Sequence, residues 1–218
     1  MRIAVATCAS EVDPDAGLLL EALETLGVEA TLAVWDDGNV DWDGFDLTVV
    51  RSTWDYTSRR DEFLAWARSL AHVANPYEAL AYSSDKHYLF DLARRGFLVV
   101  PSRLVEVGET GLVFLGGEFS HAMVKAAMLN VTPDTRDRLY RAERMSRGLA
   151  DPAALALAKA LLEDVGFDLT YARVDLVSTP EGWAVMELEL VEPSLFLAYD
   201  EGAPARLARA LVARAATR

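Results

Sequence analysis

Over the first hundred residues, short apolar runs alternate with stretches of helical spacing, and that alternation admits only a few layered folds. Ile3-Ala4-Val5-Ala6 is the first run, after which Leu18, Leu19, Leu20, Leu23 and Leu26 follow helical spacing as far as Gly27. Val28 to Val34 alternates apolar and polar residues as a strand does. Leu47-Thr48-Val49-Val50 is a third strand, entered from an Asp-rich turn around Asp41 and Asp43. Phe63, Trp66, Ala67 and Leu70 mark a helix. Ser84 is placed to cap another, running from Asp85 to about Arg95 and ended by Gly96. Leu98-Val99-Val100-Pro101 reads as a further strand. Strands joined through helices imply right-handed crossovers and a mostly parallel sheet, with ligands beyond the strands' carboxyl ends. Residues 1–101 are therefore expected to form an α/β domain.

The pattern changes after about residue 105, and residues 102–218 read as α+β. Gly111 to Leu115, Gly116-Gly117 and Glu118 to Lys125 predict a hairpin with Gly-Gly at its turn. The polar stretch from Thr132 to Arg147 predicts a surface loop with a short helical piece. Asp151-Pro152 opens a helix through about Leu162. Two strands then flank Ser178-Thr179-Pro180-Glu181-Gly182, and a last helix runs from about Pro204 to Ala215.

Composition excludes several classes of function. No apolar run reaches the roughly 18 residues that span a bilayer, and the lone Cys8 rules out an internal disulfide, so a cytoplasmic setting is expected. A net charge of −13 with scattered basic residues argues against a nucleic-acid partner. What it does permit is a set of carboxylates gathered around a cation.

The strands at 170–177 and 183–190 concentrate such carboxylates. If Val177 pairs with Trp183, Asp175 faces Val185 and Arg173 faces Glu187. Period-2 alternation then puts Arg173, Asp175, Glu187 and Glu189 on one face. Val174, Leu176, Met186, Leu188 and Leu190 take the core side. An exposed, ion-paired sheet face is the plain alternative. Yet three converging acids repel one another without a cation, and oxygen-only donors suit Mg²⁺ or Mn²⁺.

Tyr171-Ala172-Arg173-Val174-Asp175, with Met186-Glu187-Leu188-Glu189-Leu190-Val191-Glu192-Pro193-Ser194, resembles the metal-binding end of ATP-grasp enzymes. Glu189 stands where most of that family has Asn. Arg51-Ser52-Thr53-Trp54-Asp55-Tyr56, Asp85-Lys86, and Gly117-Glu118-Phe119-Ser120-His121-Ala122 through Lys125 resemble strings of the small branch that includes the cyclo-ligase making D-cycloserine. The resemblance implies an N-terminal parallel-sheet substrate domain followed by an ATP-grasp α+β part. It implies a ligase using ATP and Mg²⁺ (or Mn²⁺) to turn a carboxylate or similar oxygen into an acyl phosphate that nitrogen attacks. The substrate would be a small molecule, an amino-acid derivative. Asp175, Glu187 and Glu189 would hold the metal and Arg173 would meet phosphate. Arg51, Ser52, Asp55, His121 and Lys125 would contact substrate. Asp85 at a helix start has a sufficient structural explanation in the helix dipole.

The chain departs from the family between Pro101-Ser102-Arg103-Leu104-Val105 and Glu106-Val107-Gly108-Glu109-Thr110. There relatives carry a long lid segment with a phosphate-contacting Lys, a glycine-rich loop and an adenine hinge. No Gly-x-x-x-x-Gly-Lys or Gly-x-Gly-x-x-Gly replaces them. A segment missing from the sequence, a deletion, and a relative that binds ligand without turnover all stay open. The last of these, as a monomer or a homodimer, is the rival to the ligase. A metal-dependent hydrolase is a third option, with His121 as its only candidate base.

Overall fold

The computed structural model describes residues 1–100, 109–125 and 145–217, the side chains of Lys125 and Met145 excepted. The chain builds two sheets. In the first, β1 (Arg2–Thr7) lies between β2 (Glu29–Val34) and β3 (Leu47–Ser52), both parallel to it. Ile3, Val5, Leu47 and Val49 are fully buried because layers cover both faces of the central strands, which is why those strands are continuous apolar runs. Helix α1 (Ala16–Thr25) turns Leu19 and Leu23 into this core. It stops at Gly27, whose φ of 71° suits a residue without Cβ.

The helix expected over 63–70 is α2 (Arg60–Ser69). Two expectations around it need correction. Ser84 does not open a helix. It ends α3 (Tyr77–Ser83), its hydroxyl donating to Ala81 O, and α4 (Tyr88–Arg94) begins later. The strand expected at 98–101 does not join the parallel sheet. Val99 bridges to Val185, with Val100 N donating to Val185 O at 2.9 Å and Val185 N to Leu98 O at 2.7 Å. The free edge of β3 is taken instead by residues 72–74, through Thr48 N to His72 O and Ala74 N to Thr48 O.

The second sheet is antiparallel, in the order β6-β5-β4-β7-β8. The hairpin of β4 (Glu109–Leu115) and β5 (Glu118–Lys125) forms as expected, Gly116 and Gly117 both having positive φ. Most of the Thr132–Arg147 expectation lies outside the described residues. At its end Met145–Gly148 is a strand, β6, rather than loop. Helix α5 (Pro152–Val165) starts where Asp151 accepts hydrogen bonds from Ala153 N and Ala154 N, and ends at left-handed Gly166. The hairpin of β7 (Tyr171–Thr179) and β8 (Gly182–Glu189) follows, then α6 (Ala203–Ala216).

Alternation splits the second sheet into two faces. Leu112, Phe114, Val174, Leu176 and Leu188 pack on Ala154, Ala158 and Leu161 of α5. On the other face Val113, Leu115 and Tyr171 join Ile3, Leu19, Leu47 and the α6 residues Leu207 and Leu211 in one cluster. The core thus crosses residue 101. Further along that second face the apolar residues give way to Arg173 and Asp175.

Candidate functional site

The acid face of β7 and β8 depends on a β-bulge. At the turn, Ser178 rather than Val177 pairs with Trp183, and Leu176 pairs with Val185. An uninterrupted ladder from there would oppose Asp175 to Met186 and turn Glu187 toward the core. The register shifts between Leu176 and Asp175, so Asp175 opposes Glu187 and Arg173 opposes Glu189. The expected pairing is therefore wrong at every position. The expected gathering of Arg173, Asp175, Glu187 and Glu189 on one face holds because the bulge absorbs one residue. One core assignment is also corrected. Val185 is fully buried on the apolar face, whereas Met186 at the bulge is only partly buried.

Asp175, Glu187 and Glu189 each offer a carboxylate oxygen within 4.8 Å of the others. Asp175 is buried beneath two partly buried glutamates. Gly111 on β4 makes room for it, since a Cβ there would stand 2.9 Å from Asp175 Oδ1. Arg173 Nε donates to Asp175 Oδ1 at 2.9 Å, and Nη2 donates to Asp175 Oδ2 at 2.9 Å and also to Glu189. Burial opposes the guanidinium's charge, but Asp175 and Glu189 more than offset it and its pKa stands above the ordinary arginine value. Exposed Lys86, one residue of the Asp85-Lys86 string, places Nζ 3.1 Å from Glu187 Oε1.

The loop after β8 is gripped from several directions. Asn75 Nδ2 donates to Leu190 O at 2.8 Å, and Tyr171 Oη to Val191 O at 3.0 Å. Arg51 Nη1 donates to Pro193 O at 2.8 Å and Arg173 Nη1 to Ser194 O at 3.0 Å. His121 Nε2 lies 2.9 Å from Leu195 O, and Leu197 N donates to Asp15 Oδ2 at 3.0 Å. Between them Phe196 holds a φ of 50°, strained for a bulky residue, with Arg173 over its ring. The anchors come from elements far apart in sequence and fix the loop that leaves Glu189.

The substrate contacts expected from the sequence do not converge on the acids. Arg51 is buried behind the loop, with Asp13 Oδ2 3.4 Å from Nη2. Ser52 is buried and donates to Thr7 Oγ1. Asp55 accepts from Trp35 Nε1 at 2.9 Å and from Arg59 Nη2 at 2.5 Å. His121 is buried, and burial lowers its pKa, so the ring is neutral near pH 7. A carbonyl only accepts, so Nε2 carries the proton toward Leu195 O. Nδ1 then accepts from Ser120 Oγ, which itself accepts from Arg206 Nε. With both nitrogens engaged, His121 is not placed as a hydrolase base. The side chain of Lys125 lies outside the described residues.

Two residues that sequence reasoning left unassigned feel the charge of the glutamates. Tyr56 sits in the turn after β3 and is 7% exposed, with burial and then Glu192, Glu189 and Glu187 raising its pKa. Glu192 is partly buried, and burial followed by Glu189 raises its carboxyl well above the usual range. Both lie inside strings already quoted for the family resemblance, but nothing in their spacing gives them a role.

Three comparisons bear on this arrangement. The family model described as "D-cycloserine synthetase DcsG, N-terminal domain" matches residues 3–76. "Cycloserine biosynthesis protein DcsG" of Streptomyces lavendulae is 30% identical, covering 93% of this chain and 94% of its own length. That alignment runs over 284 positions against the 218 residues of this chain, so part of the relative's length faces gaps here. The crystal structure of D-cycloserine synthetase DcsG superposes with a TM-score of 0.84 at 27% identity, covering 99% of this chain and 100% of that one. The macrocyclase MdnC of Microcystis aeruginosa, bound to its precursor peptide, gives a TM-score of 0.67 at 12% identity over 98% of this chain and 100% of that one, which is a likeness of fold.

Proposed function

Because this chain belongs to the DcsG family of the ATP-grasp superfamily, we propose that it is a ligase that uses ATP and Mg²⁺ to couple a carboxylate to a nitrogen. The observation that carries this reading is the set of three carboxylates within 4.8 Å beside a buried, charged Arg173. The donor set fits the ion: all three are hard oxygens, and neighbouring to opposite ligands of octahedral Mg²⁺ stand roughly 3 to 4 Å apart at its bond lengths. When bound, the ion would neutralise phosphate oxygens during transfer.

The chain's own residues would do the rest. Asp175, Glu187 and Glu189 hold the ion. Arg173, locked in direction by Asp175, Glu189 and Ser194 O, presents its one uncommitted N–H, on Nη1, to phosphate. Lys86 can leave Glu187 as the ion arrives and turn its charge to the nucleotide. The γ-phosphoryl group passes from ATP to a carboxylate oxygen, leaving ADP and an acyl phosphate. Nitrogen from a second substrate or the same molecule then attacks the acyl carbon. The C–O bond to phosphate breaks, phosphate departs, and the nitrogen loses a proton. This is catalysis by positioning and charge placement. Arg51 and His121 serve it through the loop they hold, and the substrate is an amino-acid derivative.

A specific observation favours a second reading, a relative that binds ligand without turnover. It is the part of the Streptomyces lavendulae protein's length that faces gaps here. Calorimetric titration of ATP with and without Mg²⁺ separates the two. The ligase reading expects magnesium-dependent ATP binding that Glu187→Ala abolishes. If the chain, its mass verified, binds no ATP under either condition, the second reading stands.

A further inference from the structure

Arg173 and Lys86 both meet the three acids, and they are held there differently. Arg173 is buried, and its bonds to Asp175, Glu189 and Ser194 O fix the guanidinium in place. Lys86 has a side chain 73% exposed and meets the cluster through its ammonium, Nζ lying 3.1 Å from Glu187 Oε1. Its backbone, however, is not that of a stray surface lysine. The turn at 84–87 that carries it is docked on the edge of β8 from both sides. Before the turn, Ser83 Oγ donates to Leu188 O at 2.8 Å and accepts from Leu190 N at 3.0 Å. After it, the buried Tyr88 Oη accepts from Leu188 N at 2.9 Å. Within it, Ser84 Oγ accepts from Arg60 Nε and Asp85 Oδ1 accepts from His87 N, both at 2.9 Å. Leu188 lies between Glu187 and Glu189, so the turn is fixed against the strand that carries two of the acids. A flexible four-carbon stem on that fixed base brings the ammonium to Glu187 and lets it swing away while the backbone stays put.

We propose that Lys86 is an exchangeable stand-in for the metal ion: its ammonium neutralises Glu187 while no ion is bound and has to be displaced before one binds. A divalent ion and an ammonium on the same carboxylate are like charges at short range, so the two states exclude each other. Arg173 keeps its place in both, and Glu187 changes partner. The exchange rests on the ion site of the ligase reading and adds its control, a threshold that an incoming ion must exceed. A monovalent ion gains from Glu187 about what the ammonium already does. The exchange therefore favours a divalent ion, whose second charge the ammonium cannot match.

The test titrates Mn²⁺ without nucleotide into the full chain and follows the free ion by electron paramagnetic resonance. Lys86→Met keeps most of the stem and removes the charge, and melting curves verify its folding. It should bind Mn²⁺ about three- to tenfold more tightly than the unaltered chain. Loss of any nearby positive charge would tighten the ion somewhat, so a second readout follows the amine itself. The chain has three lysines, Lys86, Lys125 and Lys159. Acetylation by acetic anhydride, resolved lysine by lysine by mass spectrometry, should be several-fold faster at Lys86 with saturating Mn²⁺ than without it. The rate at Lys159, exposed on α5, should not change. In Glu187→Gln, Lys86 should react fast with and without the ion. An unchanged Lys86 rate while Mn²⁺ is bound overturns the exchange, as does equal Mn²⁺ affinity of Lys86→Met and the unaltered chain. Absence of Mn²⁺ binding from both chains removes the ion site, and the exchange falls with it. Magnesium-dependent ATP binding, measured separately, decides the ligase reading: exchange of Lys86 for the ion without ATP binding would leave the device standing and that reading lost.

Discussion

At the scale of single residues, the side chains that matter most are polar groups taken out of water and given one task each. His121 shows the consequence for pH. Its ordinary pKa is near 6.5 and burial lowers it in the folded chain, where Nε2–H is committed to Leu195 O. The unfolded chain therefore takes up a proton that the folded chain resists. Stability from this group is full above about pH 7 and is lost as pH falls through the region below the ordinary value. His121→Gln keeps a donor for Leu195 O and an acceptor for Ser120 but does not titrate. Urea unfolding at pH 7.5 and 5.5 should show a smaller drop for His121→Gln than for the unaltered chain. The histidines His72 and His87 are common to both and cancel. An equal drop would mean that His121 is protonated as easily folded as unfolded.

At the scale of elements, the hairpin of β7 and β8 is where sequence reasoning came closest to the site and also went wrong. The acids could be assigned to one face because strands alternate, and two one-residue register shifts in the same direction restored the face while changing every partner. The turn starts one residue later than its composition suggests, and the bulge near Met186 adds a second one-residue shift, so Asp175 opposes Glu187 rather than Val185. Composition does not announce a bulge, because its cause is the pairing partner rather than the local sequence. Deletions test this account. Removing Met186 leaves a regular ladder with Val185 still opposite Leu176 and Glu187 still opposite Asp175. Magnesium-dependent ATP binding by that variant is expected to stay within about tenfold of the unaltered chain, with a modest loss of melting temperature. Removing Leu188 moves Glu189 to the apolar face against α5, which should abolish the binding and unfold the chain or bring its melting temperature down sharply. If loss of Met186 is as damaging as loss of Leu188, the bulge itself shapes the site beyond setting its register.

At the scale of the molecule, alternating strands and helices made the parallel sheet legible, and a glycine pair made the β4–β5 hairpin legible. How the two sheets join was not, because the joints are single side chains acting across long stretches of sequence. Arg51 reaches Pro193 across 142 residues, and a sequence read in windows cannot connect them. Asn75 is the clearest joint. Fully buried, it donates to Tyr171 O at 2.9 Å and Leu190 O at 2.8 Å and accepts from Thr170 N at 2.8 Å and Tyr171 N at 3.3 Å. It thus ties the start of β7 to the end of β8 from the segment beside β3. Asn75→Ala removes all four bonds at once and leaves buried backbone groups unpaired, each costing about 1–3 kcal/mol when no water replaces the partner. A loss of about 3–5 kcal/mol in urea unfolding is the expected result, since some backbone groups will recruit water. Because one hydrophobic cluster spans both sheets, tryptophan fluorescence and far-ultraviolet circular dichroism should still report a single shared transition in the variant. Trp35, Trp42, Trp54 and Trp66 belong to the N-terminal part, so fluorescence weighs that part most heavily. Two separated transitions in the variant would mean that Asn75, rather than the shared core, couples the sheets.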